Sequence, residues 1–430
     1  VTVLIPITSN QLSRIVSFYG PDQWRRPPCA FGLRWSGPLD QRLIQASLSL
    51  LPWRHTALRT YFPPGAVDGH ACLTREPADD FPITTVDLTT QGAAGARQRE
   101  RAGMSYLCAP FDMGQPPLYR AVSFQYTGHV MLGIAVDHAV FDGVSARVLA
   151  DDLTFLYEAL AAGADPAELA VQASDFAEFA AAERSWPQSP EGSEAIKYWL
   201  DKWNGLGPFP DPGLPNTIAT SASPGASSTW QRGLSARQFQ TVVGRARSLR
   251  VTPFIVAATA MFAALHERSG WRRHGLITPY ARRSGKPGEG LGNYSNGLLL
   301  AVDGLDSADG ERLTSHVADT VWDALQHGMM PFEDLMRLTG DGPFARPVRP
   351  YLHFNFVTRP GPFSIDGTRL DFTWLADDAT YSRMSSGMFV TLEVTPSGGA
   401  DLECGYGAAY YACDVIDEFM SAVERHLLCQ

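Results

Sequence analysis

Cysteine is sparse in this sequence and follows no pattern. The 430 residues hold six (Cys29, Cys72, Cys108, Cys404, Cys413 and Cys429), none in Cys-x-x-Cys spacing. That argues against a zinc framework or a disulfide scaffold, so no metal site is expected. Buried free thiols in a reducing cytoplasm are the expectation. Basic charge is also short. Lys and Arg total 35 against 45 Asp and Glu, a formal net charge of −10, whereas a nucleic-acid partner favours clustered Lys and Arg. There is no N-terminal signal-peptide pattern, and no uncharged apolar run reaches the length a bilayer requires. Neither nucleic acid nor membrane is expected as a partner. The chain opens on Val1 rather than Met, so it reads as a free-standing protein or as one module of a larger enzyme.

What is present suits an ordinary globular protein: 45% hydrophobic and 19% charged residues. A chain of this length exceeds one small core and predicts two domains or one large pseudo-repeated fold. Residues 31–36 alternate as a strand, and Asp40 reads as the N-cap of the helix that follows. Strands at 121–126 and 130–136 pair as a hairpin around Thr127-Gly128. Val148, Leu149, Leu153, Leu156, Tyr157 and Leu160 then mark one face of a helix. Residues 205–228 are too rich in Gly, Pro and Ser for a regular element. Beyond them, Thr252-Pro253 starts a helix that is apolar almost all round and therefore buried.

The most informative stretch is Asp137-His138-Ala139-Val140-Phe141-Asp142-Gly143. It leaves a continuous apolar run, which reads as a buried strand, and enters the amphipathic stretch that begins near Val144. A connector anchored at both ends fixes His138, and a fixed imidazole can take a proton from an incoming nucleophile. His138 and Asp142 as half of a metal site lack a third ligand. The glycines at 285, 288, 290 and 292 precede a strand rather than a helix, with no Gly-Lys-Ser/Thr, so a phosphate cradle is a weak reading. Gly292-x-x-Ser295-x-Gly297 is one residue too long for a nucleophile elbow.

These seven residues resemble the His-His-x-x-x-Asp-Gly signature of nonribosomal peptide synthetase condensation domains, in the chloramphenicol acetyltransferase-like superfamily. His138, Asp142 and Gly143 match, and Asp137 replaces the first histidine. Other segments resemble the family in the same order along the chain: Arg54-His55-Thr56-Ala57-Leu58-Arg59-Thr60, Pro110-Phe111-Asp112, Pro279-Tyr280-Ala281-Arg282-Arg283, Gly292 to Gly297, and Pro331-Phe332-Glu333. The resemblance implies an α/β fold of two chloramphenicol acetyltransferase-like lobes, a V-shaped pseudo-dimer with a central tunnel. The expected division is an N-terminal lobe over 1–175, a crossover and linker over 176–229, and a C-terminal lobe over 230–430.

The resemblance also assigns roles. His138 is the general base or positioning group for attack on an acyl thioester. Asp142 is structural and pairs with an arginine of the second lobe, matching Arg283, with Arg282 as the fallback. Gly143 lets substrate and backbone approach, with its N–H toward a developing oxyanion, or is a turn glycine needed for its backbone angles. Asp137 raises the pKa of the base, holds its ring through the backbone, or is an inert replacement. Tyr280, Ser295 and Asn296 are candidates for the tunnel lining, and His55 is structural.

The activity implied is acyl transfer. A carrier-protein-bound acyl or aminoacyl thioester would join an amine or hydroxyl acceptor, giving an amide or ester in natural-product biosynthesis. No cofactor is bound directly, and phosphopantetheine is presented by an acyl or peptidyl carrier protein. Arg25, Arg26, Arg346 and Arg349 are surface basics suited to an acidic carrier. Asp137-x-x-x-x-Asp142-x-x-Ser145 also fits heterocyclisation domains, relatives that generally lack a histidine at position 138, so His138 favours acyl transfer. A non-catalytic recruitment domain of an assembly line is the third reading, motivated by Asp137.

Overall fold

A computed structural model of the chain describes residues 2–20, 25–74, 76, 80–90, 92–173, 175–206, 211–215, 227–283, 290–305, 310–340, 351–376, 387–408 and 410–429. It is a mixed α/β protein of two compact units. The first comprises Val1–Trp186, Ala281–Ser295 and Pro360–Thr380, and the second Pro187–Tyr280, Asn296–Arg359 and Tyr381–Gln430. A single cut across 176–229, as the sequence suggests, does not reproduce this division. Two segments from the second half of the chain pack with the first unit, and one of them carries Arg283.

The first unit is built on a six-stranded sheet in the order Phe363–Ile365, Thr368–Trp374, Cys29–Trp35, His129–Val136, Tyr119–Tyr126 and Ile83–Asp87. All neighbours are antiparallel except the last pair. Strands Tyr119–Tyr126 and His129–Val136 form the expected hairpin, with Tyr126 opposite His129 and Gly128 at φ +87° in the turn. A left-handed residue there suits glycine. His129–Val136 starts half-buried and ends wholly buried, so both faces of its last residues are covered and the run is continuously apolar. Gly133 has a steric cause: a Cβ there would stand 2.6 Å from Leu107 Cδ2, on helix Ala93–Cys108.

Helix Gly143–Ala161 follows, its apolar stripe of Leu149, Leu153, Leu156 and Tyr157 buried in the core. Helix Ser9–Tyr19 begins with a capping box: Thr8 Oγ1 accepts from Gln11 N, and Gln11 Oε1 accepts from Thr8 N at 2.9 Å. Its buried side carries Gln11, Arg14 and Ser17 beside Ile15 and Phe18. A three-stranded antiparallel sheet of Thr2–Pro6, His70–Thr74 and Thr60–Tyr61 completes the β-structure of this unit.

The second unit holds another six-stranded sheet, ordered Ser295–Val302, His274–Ala281, Tyr351–Thr358, Gly387–Val394, Ala400–Gly407 and Ser227–Leu234. Helix Pro253–Ser269 is capped by Thr252, has proline at its first position, and is buried from Ile255 to Leu265 on nearly every side. Its all-round apolar sequence is thereby accounted for. No single helix among the described residues is long and apolar enough to cross a membrane. Of the five cysteines with described side chains, all free, Cys108 and Cys404 are buried, Cys29 and Cys72 are partly exposed and Cys413 is exposed. The expectation of buried thiols is corrected at Cys413, which is exposed.

One ion pair ties late sequence to early sequence inside the first unit. Arg282, with its side chain fully buried, pairs with buried Glu183 and lies over the Phe179 ring. Glu183 also accepts from Ser9 N at 2.7 Å. Replacing Glu183 by Ala leaves a guanidinium without its counter-charge in a dry site, and should cost about 3–5 kcal/mol. Chemical denaturation of the two proteins checks this; a loss under about 1 kcal/mol would mean that water reaches Arg282.

Candidate functional site

The seven-residue connector is held at almost every position. Asp137 N donates to Leu118 O and Val140 N donates to Asp137 O, which closes the turn. Ala139 is grasped on both sides, its N–H bonded to Asp137 Oδ1 at 2.8 Å and its carbonyl accepting from Gln11 Nε2 at 2.9 Å. Ala139, Val140 and Phe141 are completely buried, and Phe141 stacks on Phe31. His138 is partly exposed between buried Asp137 and the buried stretch 139–142.

Asp137 faces Arg14. Arg14 Nε reaches Oδ1 at 2.7 Å and Nη2 reaches Oδ2 at 2.9 Å, a two-pronged pair with both side chains buried. Arg14 Nη2 also donates to the carbonyls of Arg26 and Pro27. Asp137 is therefore not an idle replacement, since both of its oxygens are engaged.

Asp142 is the N-cap of helix Gly143–Ala161. Its Oδ1 accepts from Ser145 N and Ser145 Oγ, each at 2.8 Å, and from Arg283 Nη2 at 3.0 Å, while Oδ2 accepts from Tyr294 N at 3.0 Å. Ser145 joins the same knot: its Oγ accepts from Arg283 Nη2 and Gly292 N and lies 2.9 Å from Gly292 O. Gly292 is required by close approach, because a Cβ there would fall 2.2 Å from Phe176 Cδ2. Arg283 lies over the Tyr294 ring, and Tyr294 meets Phe176 edge-on. Arg282, the fallback partner, is committed to Glu183.

His138 itself is electrostatically tuned. Burial first, and the Arg14 guanidinium second, push its proton affinity below the ordinary histidine value, with Asp142 and Asp137 opposing. Nδ1 is buried with no hydrogen-bond partner of standard geometry among the described residues, and an interaction with its own backbone is the largest influence countering the downward shift. The shift favours the neutral imidazole near pH 7. Gly143 is exposed, its φ is not positive, and a Cβ built on it would meet nothing within 4 Å. The turn-angle explanation for this glycine is therefore corrected. It opens a helix, where the first N–H groups lack intrahelical partners, and it leaves free space beside them.

The remaining candidates separate. Asn296 is buried and fully spent: Nδ2 donates to Gly328 O and Met330 O, and Oδ1 accepts from Phe332 N, so it braces the start of helix Phe332–Thr339. Ser295 donates through N and Oγ to Asn293 Oδ1, and its carbonyl accepts from Asn10 Nδ2. Tyr280 is partly exposed, and its hydroxyl has no hydrogen-bond partner among the described residues. His55 is buried and bonds Asp152, which Arg54 also binds. Arg25 lies over the Phe18 ring and Arg26 donates to Ser17 Oγ. Arg346, Arg349, Gly285 and Gly288 lie outside the described residues. Among those described, no group of three or more His, Cys, Asp or Glu side chains is arranged for a metal ion. Sequence reasoning missed Arg14, Gln11 and Tyr294. The signal for the first two was polar residues on the core face of an otherwise amphipathic helix.

The sequence matches the family described as "Condensation domain" over residues 29–429. The chain belongs to the condensation-domain family. A linear gramicidin synthase protein of Brevibacillus parabrevis is 31% identical over 313 residues, 70% of this chain and 4% of that protein. The chain thus spans a small fraction of that relative's length. Among solved structures, the first condensation domain of the calcium-dependent antibiotic synthetase, with a substrate analogue, superposes with a TM-score of 0.80 at 18% identity, covering 99% of this chain and 96% of that one. The X-domain from teicoplanin biosynthesis gives 0.78 at 21%, covering 98% and 94%. The chain therefore has the mixed α/β fold of condensation-domain structures, with its two six-stranded sheets.

Within it, Asp142 bears more than a cap. Asp142→Ala removes four hydrogen bonds, one of them a buried ion pair, and should lower stability by about 3–5 kcal/mol. Urea denaturation measures this. A variant of full stability but lost turnover would instead make Asp142 a chemical participant.

Proposed function

We propose that this condensation domain is an acyltransferase, joining a carrier-bound acyl or aminoacyl thioester to an amine or hydroxyl acceptor. The reading is carried by His138, a neutral and partly exposed imidazole on a pinned turn, with the open start of a long helix five residues away. A neutral ring accepts a proton, and its lowered proton affinity keeps it neutral across the physiological range.

In the step proposed, the acceptor's N–H or O–H faces His138 Nε2, since Nδ1 is buried. Its lone pair attacks the thioester carbonyl as the imidazole takes the proton. The carbonyl oxygen gathers negative charge, which the N–H groups of Gly143 and Val144, at the start of helix Gly143–Ala161, would stabilise. Collapse breaks the C–S bond, and the proton passes to the departing pantetheine thiol. An amide or ester and a free thiol result. Two reactants held together account for much of the rate. The carrier protein, its phosphopantetheine arm and a small-molecule acceptor are the partners in this scheme, and cytoplasm is its setting.

The engagement of Asp137 by Arg14 and Ala139 supports condensation over heterocyclisation, since both carboxylate oxygens are held in a buried ion pair. An assay of loaded carriers by intact mass separates the readings: a further loss of water from a Ser, Thr or Cys acceptor would favour cyclisation. Tight partner binding without product from any thioester would favour recruitment.

His138→Ala should abolish product while the thermal transition stays within a few degrees of wild type. Because the folded-state affinity lies below the unfolded one, the ring protonates only as pH falls below about 6.5. Turnover should therefore persist through that pH and be lost beneath it. The stability that His138 contributes follows the same sense, complete above the unfolded value and lost as pH falls toward the folded one. Unchanged turnover in His138→Ala would end the base role.

A further inference from the structure

We propose that Arg14 and Asp137 are the positioning pair of His138, locking the turn that presents the imidazole and setting a fixed positive charge near it. The proposal rests on the reading of His138 as base.

Two observations carry it. The first is geometry. The fork of Arg14 takes both oxygens of Asp137, and Asp137 Oδ1 takes the N–H of Ala139, so His138 is spanned by one buried unit. Arg14 also holds the carbonyls of Arg26 and Pro27, immediately before strand Cys29–Trp35. Gln11, one helical turn earlier, grips Ala139 O. Apolar packing would hold a turn as well at lower desolvation cost, so a buried charge pair here asks for a reason beyond rigidity.

The second is the balance of charge. An aspartate next to the base, by itself, favours the protonated ring. Arg14 opposes this, and after burial it is the largest influence drawing His138 down. The other ionisable groups coupled to this turn are accounted for. Asp142 is compensated by Arg283. Cys29 is held as the neutral thiol, burial pushing it up to about 12. Arg120, on strand Tyr119–Tyr126, is coupled to Asp137 and spends its Nη atoms on Tyr106 O and Ala109 O. The departure from the double-histidine signature is thus matched by a cation placed to offset it.

The test reads His138 directly. Its ring Cε1–H resonance, assigned by its absence from His138→Ala, is titrated by NMR in the intact chain and in Arg14→Gln, Asp137→Asn and Arg14→Lys. The midpoint should rise in Arg14→Gln and fall in Asp137→Asn. Arg14→Lys keeps the charge but loses the fork. It should titrate near wild type while kcat falls on the order of 10- to 100-fold with KM little changed. Folded variants whose midpoints move in the same direction, or not at all, would overturn the proposal by reducing the pair to scaffolding. If Arg14→Gln does not fold, the downward shift in Asp137→Asn decides the matter alone. Opposite shifts in a protein that makes no product from any loaded carrier would leave the pair standing and remove the acyl-transfer reading instead.

Discussion

Two buried ion pairs on either side of one histidine govern this molecule. Arg14 with Asp137 closes one flank of the connector, and Arg283 with Asp142 closes the other. A buried pair seldom adds net stability over an apolar equivalent, but it is severe on any structure that separates its members. That asymmetry suits a site in which a single ring must keep one orientation. The turn cannot relax a little; it is either assembled, with all four charges compensated, or it carries an uncompensated charge into the core.

Each half of the clamp recruits sequence from far away. Asp142 reaches 141 positions to Arg283 and 152 to Tyr294 N, and Asp137 reaches 123 to Arg14. The segment 281–295 follows strand His274–Ala281 of the second sheet, yet it packs with the first unit. Its two adjacent arginines divide the work: Arg282 is sunk against Glu183, and Arg283 meets the helix cap. The alternation places neighbouring side chains on different partners, so one short segment serves two ion pairs. The turn that carries His138 is therefore complete only when a piece of late chain has been added to it.

The sequence announced the turn itself clearly, because a continuous apolar run followed by His-x-x-x-Asp-Gly leaves few conformations. It also named Arg283, through the family's spacing. Helices with clean stripes, such as Gly143–Ala161, and the buried Pro253–Ser269 were legible for the same reason: their periodicity was undisturbed. Helix Ser9–Tyr19 was not. Its core face bears Gln11, Arg14 and Ser17, which break the apolar stripe because they bind the turn rather than fill the core. Asn296 misled in the opposite sense, a polar residue in a site-like motif whose three hydrogen bonds all brace its own surroundings. Hydrophobic patterning reports what is packed, and it loses the signal where polar groups do the packing.

That loss has a structural logic at Asp137. A carboxylate placed at random beside a general base would hold the ring protonated and so impair it. The arginine that prevents this sits on the first helix, and nothing local to the signature requires it. The substitution and its remedy are separated by more than a hundred residues in sequence and by 2.7 Å in space. A variant signature is therefore best judged with the groups that face it. Here an acidic residue, suspect when viewed alone, becomes one arm of a compensated clamp, and the partly exposed imidazole it borders is drawn toward its neutral form.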